Sequence, residues 1–291
     1  MEHYTIRDFE KEFPTDDACL EWLRTYLYPN GIWCKQCYTV TKHHRVTKRR
    51  SYSCDRCGHH VHPTASTIYH KSPTPLKLWF YAIYLMASTR CGISAKQLQR
   101  ELGVTYKTAW RIFKQVRSML GENGHALTGE VEVDETYIGG KRHGKRGRGA
   151  EGKTPVIGLV QCKGKIVARI ASNVASATVI PLIQQHVRPE GTTVFTDELK
   201  SYDPLARSRY AHERVNHSQK EYVKGNAHTN TLEGFWSLVK QGIRGIYRGV
   251  GRPYLQSYLD EYGFRYNHRS DAQPMFKTFL GQVRLASDLL A

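Results

Sequence analysis

No uninterrupted apolar run in this chain exceeds ten residues; the longest, Leu78 to Ala87, is about half of what a bilayer-spanning helix needs, so no spanning segment is expected. An apolar leader is also missing: the chain opens MEHYTIRDFEKEF, acidic and without a hydrophobic h-region, so a secretory signal is not supported and a cytoplasmic, nucleoid-associated protein is expected. Acidic residues are scarce, 26 against 43 Lys plus Arg, which leaves a formal charge of +17. Long linkers and internal repeats are absent. With 40% hydrophobic and 11% aromatic content the chain is not disordered, and 291 residues suffice for about two domains. A folded protein this cationic is expected to meet a polyanion, although a membrane surface or a basic enzyme face would need the same charge.

Aliphatic residues are sparse between 32 and 63, too sparse for a core, and the cysteines there supply what the apolar residues do not. Cys34-x-x-Cys37 and Cys54-x-x-Cys57 are separated by sixteen residues. Two such turns offer four thiolates for a tetrahedral zinc ion, which would supply much of the local folding free energy. Gly58 relieves crowding after the second pair. His43, His44, His59, His60 and His62 are expected mostly in solvent. Cys19, Cys91 and Cys162 sit in apolar-periodic contexts and are expected to be small buried hydrophobes.

Asp16 to Tyr26 reads as an amphipathic helix, with Leu20, Leu23 and Leu27 at helical spacing and a stop at Pro29-Asn30-Gly31. Residues 74–121 read as helical. Within them a helix capped by Ser94, a turn at Gly103 and a helix capped by Thr105 form a helix-turn-helix pattern. Tyr106, Lys107, Arg111, Lys114 and Arg117 would point outward as a basic, DNA-facing surface. From Gly129 the pattern alternates: strands over Glu130–Val133, Val156–Cys162, Lys165–Ala171 and Thr192–Thr196, with a helix around Ala177–Val187, which is an α/β alternation. A glycine-rich loop, residues 139–153, carries six Lys or Arg, and Lys141, Arg142, Lys145, Arg146 and Arg148 are candidate phosphate contacts.

Three acids stand out in the α/β part. Asp134 is expected to end one strand and Asp197 another, and Glu233 lies on a helix with Lys240 two turns later and Asn230 one turn earlier. Carboxylates gathered in so cationic a chain suit hard divalent ions, and two ions about 3.5–4 Å apart serve phosphodiester cleavage by activating water and stabilising the leaving oxygen.

These segments together resemble an insertion-sequence transposase of the DDE superfamily, in the ISXO-type branch with an N-terminal zinc ribbon. The resemblance is carried by Phe13 to Leu23, the paired Cys knuckles, Val133 to Lys141, Thr196-Asp197, His228 to Lys240 and Tyr258 to Arg269. It implies an α/β, ribonuclease-H-like mixed sheet flanked by helices, preceded by a small zinc ribbon and a helix-turn-helix bundle. The segmentation expected is 1–31 helical, 32–73 zinc ribbon, 74–124 helix-turn-helix and 125–291 catalytic.

The resemblance further implies Mg²⁺ or Mn²⁺ held by Asp134, Asp197 and a third ligand, with Zn²⁺ on Cys34, Cys37, Cys54 and Cys57. That third ligand is Glu in some branches and Asn in others. Glu233 is favoured for its spacing to Lys240, and Asn230 would then orient the site. Implied activities are recognition of terminal inverted repeats, cleavage at the element ends and joining of the 3′-OH to target DNA. The implied partners are double-stranded DNA, both element ends and target, and further copies of the chain in a homodimer or higher homo-oligomer, since two ends must be cut. Two alternatives remain open: a DNA-binding regulator with a catalytically silent domain, and a structure-specific nuclease that does not join strands.

Overall fold

The computed structural model describes residues 4–121, 126–139, 152–214 and 230–283. The chain forms two compact units, one of residues 1–119 and 271–291 and the other of residues 120–270. Among the described residues no helix is long and apolar enough to cross a membrane.

The first unit begins with helix α1, Ile6–Glu12, which the sequence reading passes over because it is only seven residues long. Its start is specified by Thr5 and Asp8, whose side chains each take the other's backbone N–H in a capping box. Helix α2, Asp16–Leu27, follows and buries Cys19, Leu20 and Leu23. A hairpin of β1, Ile32–Cys34, and β2, Thr39–Thr41, then leads to an antiparallel sheet of β3, His43–Val46, β4, Ser51–Cys54, and β5, His60–Val61. Helices α3, Leu76–Ser88, α4, Ala95–Leu102, and α5, Tyr106–Ser118, complete the N-terminal part.

Asp16 joins three of these pieces. Helix α3 starts after Pro75, which has no capping side chain, and Asp16 takes the N–H groups of Leu76 and Lys77 at 3.0 and 2.9 Å in its place. Arg50 from the turn between β3 and β4 donates to the same carboxylate and to the carbonyls of Ser72 and Thr74.

The second unit is built on a five-stranded mixed sheet. Its strands are β6, Glu130–Gly139, β7, Lys153–Gln161, β8, Ile166–Ile170, β9, Thr193–Thr196, and β10, Ala211–Arg214. In spatial order they run β10-β9-β6-β7-β8. β6, β7 and β8 form an antiparallel meander, whereas β9 and β10 add parallel to the other edge of β6. Counted within the unit this is order 3-2-1-4-5, the ribonuclease-H-like sheet.

Helix α6, Ser176–His186, lies on one face, over Val131, Val133, Leu159 and Val194. Helices α7, Asn230–Gln241, and α8, Arg252–Asn267, cover the other, over Val156, Val160, Ile166 and Ala168. A turn of π-helix, Gly242–Ile246, extends α7.

The closing segment returns to the first unit. Helix α9, Met275–Leu280, sets Phe276 among Tyr4, Phe9, Phe13 and Tyr84, and Tyr26 donates to the carbonyl of Gly281. Phe276 thus packs against rings of α1, its flanking residues and α3, so residues 271–283 belong with the first unit although in sequence they follow the α/β part.

Candidate active site and metal centre

Register brings the two aspartates together. β6 and β9 pair in parallel as Glu130↔Thr193, Val131↔Val194 and Glu132↔Phe195, and continuing two residues sets Asp134 alongside Asp197. Adjacent strands lie about 4.8 Å apart, and a step of two keeps the side chain on the same face. Asp197 follows the last residue of β9, as the sequence predicts. Asp134 does not end its strand: β6 continues to Gly139, because Glu135 to Gly139 find a partner in Lys153 to Ile157 of β7. The relevant boundary is the end of the β6–β9 ladder at Glu132↔Phe195; among the described residues β6 has no further partner on that side.

The Asp134 carboxyl is pushed up to about 6, first by burial and then by the negative charges of Glu135 and Asp197. An indole opposes this: Trp236 Nε1 on α7 donates to Asp134 Oδ2 at 3.1 Å. Asp197 takes the Leu199 N–H on Oδ1 at 3.0 Å. Glu135, on the opposite face of β6, accepts from the hydroxyl of the buried Tyr202 at 3.1 Å, and burial together with the Glu135 charge pushes that phenol upward.

Helix α7 is seated on the sheet by a buried acid that the sequence reading does not single out. Glu132, 1% exposed, accepts from Thr231 Oγ1 at 3.1 Å and from the Leu232 N–H at 3.5 Å, occupying the electropositive first turn. The buried stripe of Leu232, Phe235, Trp236, Val239 and Ile243 is the predicted one. At 100° per residue, Glu233 and Lys240 lie about 20° apart on the flank of that stripe, on the Trp236 side. Lys240 is half-buried. Burial lowers its ammonium, and the charge of Asp134 works against that shift.

Asp134, Asp197 and Lys240 therefore share one neighbourhood, whereas Glu233 is exposed on the helix flank. Among the described residues the three acids do not converge closely enough to form a ligand cluster. The side chain of Asn230 lies outside the described residues. So do Lys141, Arg142, Lys145, Arg146 and Arg148.

Cysteine sulfurs do converge. The Sγ atoms of Cys34, Cys37, Cys54 and Cys57 all lie within 4.8 Å of one another, with Cys34 to Cys57 at 3.4 Å and Cys37 to Cys54 at 3.8 Å. Four thiolates at 2.3 Å from one ion would be about 3.8 Å apart, so the set suits a tetrahedral metal.

The two knuckles are built alike. Tyr38 N–H donates to the Cys34 carbonyl and Gly58 N–H to that of Cys54, each at 2.9 Å. Both residues after the second cysteine turn left-handed, Tyr38 at φ 51° and Gly58 at 73°. The histidines stay out of the cluster: His44 pairs with Asp55 at 2.7 Å, and His60 meets Ser51 at 3.2 Å. Cys19 is buried as expected, but Cys91 is exposed, because it follows the end of α3 in a turn rather than continuing its buried stripe.

The helix-turn-helix has the expected caps. Ser94 accepts the Gln97 N–H, Gly103 ends α4 at φ 63° and Thr105 accepts the Thr108 N–H. Tyr106, Lys107 and Lys114 are exposed on α5, while Arg111 is half-buried and donates to the His70 carbonyl. Arg117 contradicts the reading of an outward basic face. It is 1% exposed, with its guanidinium 3.5 Å from the Phe113 ring centroid, a stacked cation inside the core.

Gly158, Trp236, Glu132, Glu135 and Tyr202 are the site residues that sequence reading does not pick out as functional. Gly158 pairs with Asp134 across β6 and β7. The one local signal for it is a glycine inside a strand, which marks a close approach by something else.

Comparison with known proteins bears on both regions. Residues 126–267 match a family model described as an ISXO2-like transposase domain, and residues 14–60 match a transposase zinc-ribbon domain. A protein of the transposable element ISH50 of Halobacterium salinarum is 29% identical over 93% of this chain and 97% of its own length. A transposase-like protein of Haemophilus influenzae is 32% identical over 36% of this chain and 84% of its own. The structure of a pre-cleavage Mos1 transpososome aligns with 13% identity and a TM-score of 0.27, over 72% of this chain and 78% of that one.

Proposed function

Because the chain belongs to the ISXO2-like transposase family, with its zinc ribbon, we propose that it is a DNA transposase that binds the terminal inverted repeats of an insertion sequence, cleaves at the element ends and joins the freed 3′-OH to target DNA. The observation that carries this reading is the nearness of Asp134 on β6 to Asp197 just past the end of the neighbouring parallel strand β9, close enough for the Asp197 charge to act on the Asp134 carboxyl. Burial and neighbouring acids make this a site where a divalent cation offsets a standing cost.

Asp134 and Asp197 are the metal-binding carboxylates in this proposal, and Glu233 completes the set from α7. With Mg²⁺ or Mn²⁺ bound, the site activates the attacking oxygen and stabilises the leaving one. In cleavage, a water oxygen bonds to phosphorus as the bond from phosphorus to the element's 3′ oxygen breaks, leaving a 3′-OH. In joining, that hydroxyl attacks a target phosphorus and displaces a target 3′ oxygen. Lys240 contacts a phosphate beside the reacting centre, and Asn230 orients the site.

Cys34, Cys37, Cys54 and Cys57 hold Zn²⁺. Tyr106, Lys107, Arg111 and Lys114 on α5 read the element ends, and the basic residues from Lys141 to Arg148 grip backbone. Two copies act together, because both ends must be cut and joined, and they work in the cytoplasm on the nucleoid. The test is an incubation of purified protein with labelled element-end DNA, target plasmid and Mg²⁺. Nicked ends and strand-transfer products are expected, both lost in Asp134→Ala. Nicking by Asp134→Ala at the unmutated rate refutes the assignment, and nicking without joining indicates a nuclease.

A further inference from the structure

Trp236 and Gly158 form a second unit of the site. A Cβ added at residue 158 would lie 2.4 Å from Trp236 Cζ2, 3.0 Å from Cη2 and 2.9 Å from Leu232 Cδ2. The benzo ring of the indole therefore rests on bare backbone, at the β7 residue paired with Asp134. From that seat the ring, 3% exposed, reaches one strand across and donates Nε1–H to Asp134 Oδ2 at 3.1 Å. We propose that Trp236, seated on Gly158, is a positioning residue that fixes the Asp134 carboxylate for cation binding. This rests on the reading of Asp134 as a metal-binding carboxylate.

The chemistry of the donor favours this role over simple satisfaction of a buried indole. An indole N–H is donor-only and uncharged. It holds one oxygen in place without neutralising the carboxylate, whereas a Lys or Arg at the same place would compete with the incoming cation for its charge. The ring has only two side-chain torsions, and both are fixed by the contact with Gly158 and by Phe235, whose centroid lies 5.3 Å away. Glu132 anchors the first turn of the same helix, so the position of the indole follows from the sheet itself.

The experiment uses the full, zinc-loaded chain. Trp236 is replaced by 3-benzothienylalanine, which keeps the bicyclic shape and puts sulfur where the N–H was. Gly158→Ala, Trp236→Phe and their combination are prepared beside it, with Asp134→Ala as control. Four quantities are read: Mn²⁺ affinity without DNA by paramagnetic resonance of the free ion, kcat and KM for end cleavage, and the thermal unfolding midpoint.

The sulfur variant is expected to unfold at the same temperature, to bind Mn²⁺ about tenfold more weakly, and to lose on the order of ten- to a hundredfold in kcat at unchanged KM, the scale of losing a hydrogen bond to a charged group. Gly158→Ala is expected to lower Mn²⁺ affinity and kcat when Trp236 is present and to add less in the Trp236→Phe background, where the indole atoms it strikes are gone and only the contact with Leu232 Cδ2 remains. Mn²⁺ binding and cleavage within about twofold of the unmutated protein in the sulfur variant overturn the proposal, reducing Trp236 to a core residue. If the sulfur variant does not fold, equal losses from Gly158→Ala in both backgrounds overturn it. Asp134→Ala separates the two levels: if it keeps Mn²⁺ affinity and cleavage, the reading of Asp134 fails, and if it loses both while the sulfur variant loses neither, only the assignment of Trp236 fails.

Discussion

Asp134→Asn should stabilise the metal-free protein at neutral pH while abolishing strand cleavage. The folded carboxyl is raised from 3.8 to about 6, first by burial and then by Glu135 and Asp197. The unfolded chain releases this proton near 3.8, so between those values the native state holds more protons than the unfolded one. Stability contributed by this group is therefore present at low pH and falls as pH rises through the window. At about 1.4 kcal/mol per unit, the cost above pH 6 is at most about 3 kcal/mol.

Asparagine is isosteric, keeps an oxygen acceptor for Trp236 and never ionises, so the variant escapes that cost. Urea midpoints at pH 4, 5, 6 and 7 on zinc-loaded protein without magnesium should nearly coincide at the acid end. They should then diverge to a gap of roughly 1–3 kcal/mol in favour of the variant at pH 7. Adding Mg²⁺ or Mn²⁺ should raise the unmutated protein toward the variant and leave the variant unmoved. A gap independent of pH, or a variant less stable at pH 7, would refute the electrostatic account of this site.

Other outcomes follow from the first unit. Chelation, or Cys54→Ser, should remove one zinc per chain and weaken the β signal of the ribbon, since residues 32–63 are poor in aliphatic side chains and the metal supplies much of their local folding free energy; metal analysis with circular dichroism checks this. Asp16→Ala removes the acceptor for two α3 N–H groups and for Arg50, and should cost roughly 1–3 kcal/mol in denaturant unfolding, restored in part by Asp16→Asn. Gly103→Val forces a β-branched residue into φ 63° and should cost about 1–2 kcal/mol by the same measurement. Arg117→Ala should lower stability without changing the salt dependence of DNA-end binding, whereas Lys107→Ala and Lys114→Ala should each reduce the magnitude of that slope by about one and leave stability alone.

What was legible in the sequence was mostly local. Two C-x-x-C pairs state their own geometry, as do Ser94, Gly103 and Thr105, whose caps depend on neighbours within four residues. The positions of β6 to β9 were legible, although β6 runs past the expected end at Asp134 to Gly139, and so was the α7 stripe from its period. What escaped was non-local. The contact of Gly158 with Trp236 depends on the register of β7 against β6 and on where a helix 78 residues later lands. Arg117 is charged on a helical wheel and buried in fact, because the wheel carries no information about the Phe113 ring it stacks on. Strand β10, Ala-His-Glu-Arg, is four residues long with no alternation, and only the β9 edge makes it a strand.

The abundance of positive charge makes the treatment of Asp134 informative. With 43 Lys and Arg available, the cheapest way to keep a partly buried carboxylate ionised is a direct ion pair, and the chain does this elsewhere: Arg169 with Asp260 at 3.1 Å and Arg265 with the buried Glu261 at 2.7 Å. Among the described residues the side-chain hydrogen bond to Asp134 comes instead from an uncharged indole, while the Asp134 charge favours the Lys240 ammonium. An ion pair there would hold the carboxyl low and leave little charge for a cation to claim. An uncharged donor fixes its geometry and leaves the electrostatic cost in place until a cation removes it. On this argument, Trp236→Arg should lose the stability of the buried ring, about 3–5 kcal/mol, and no longer gain stability from Mn²⁺. Denaturant midpoints with and without the ion measure both effects, and a variant still stabilised by Mn²⁺ as strongly as the unmutated chain would show that the neutrality of the donor is incidental.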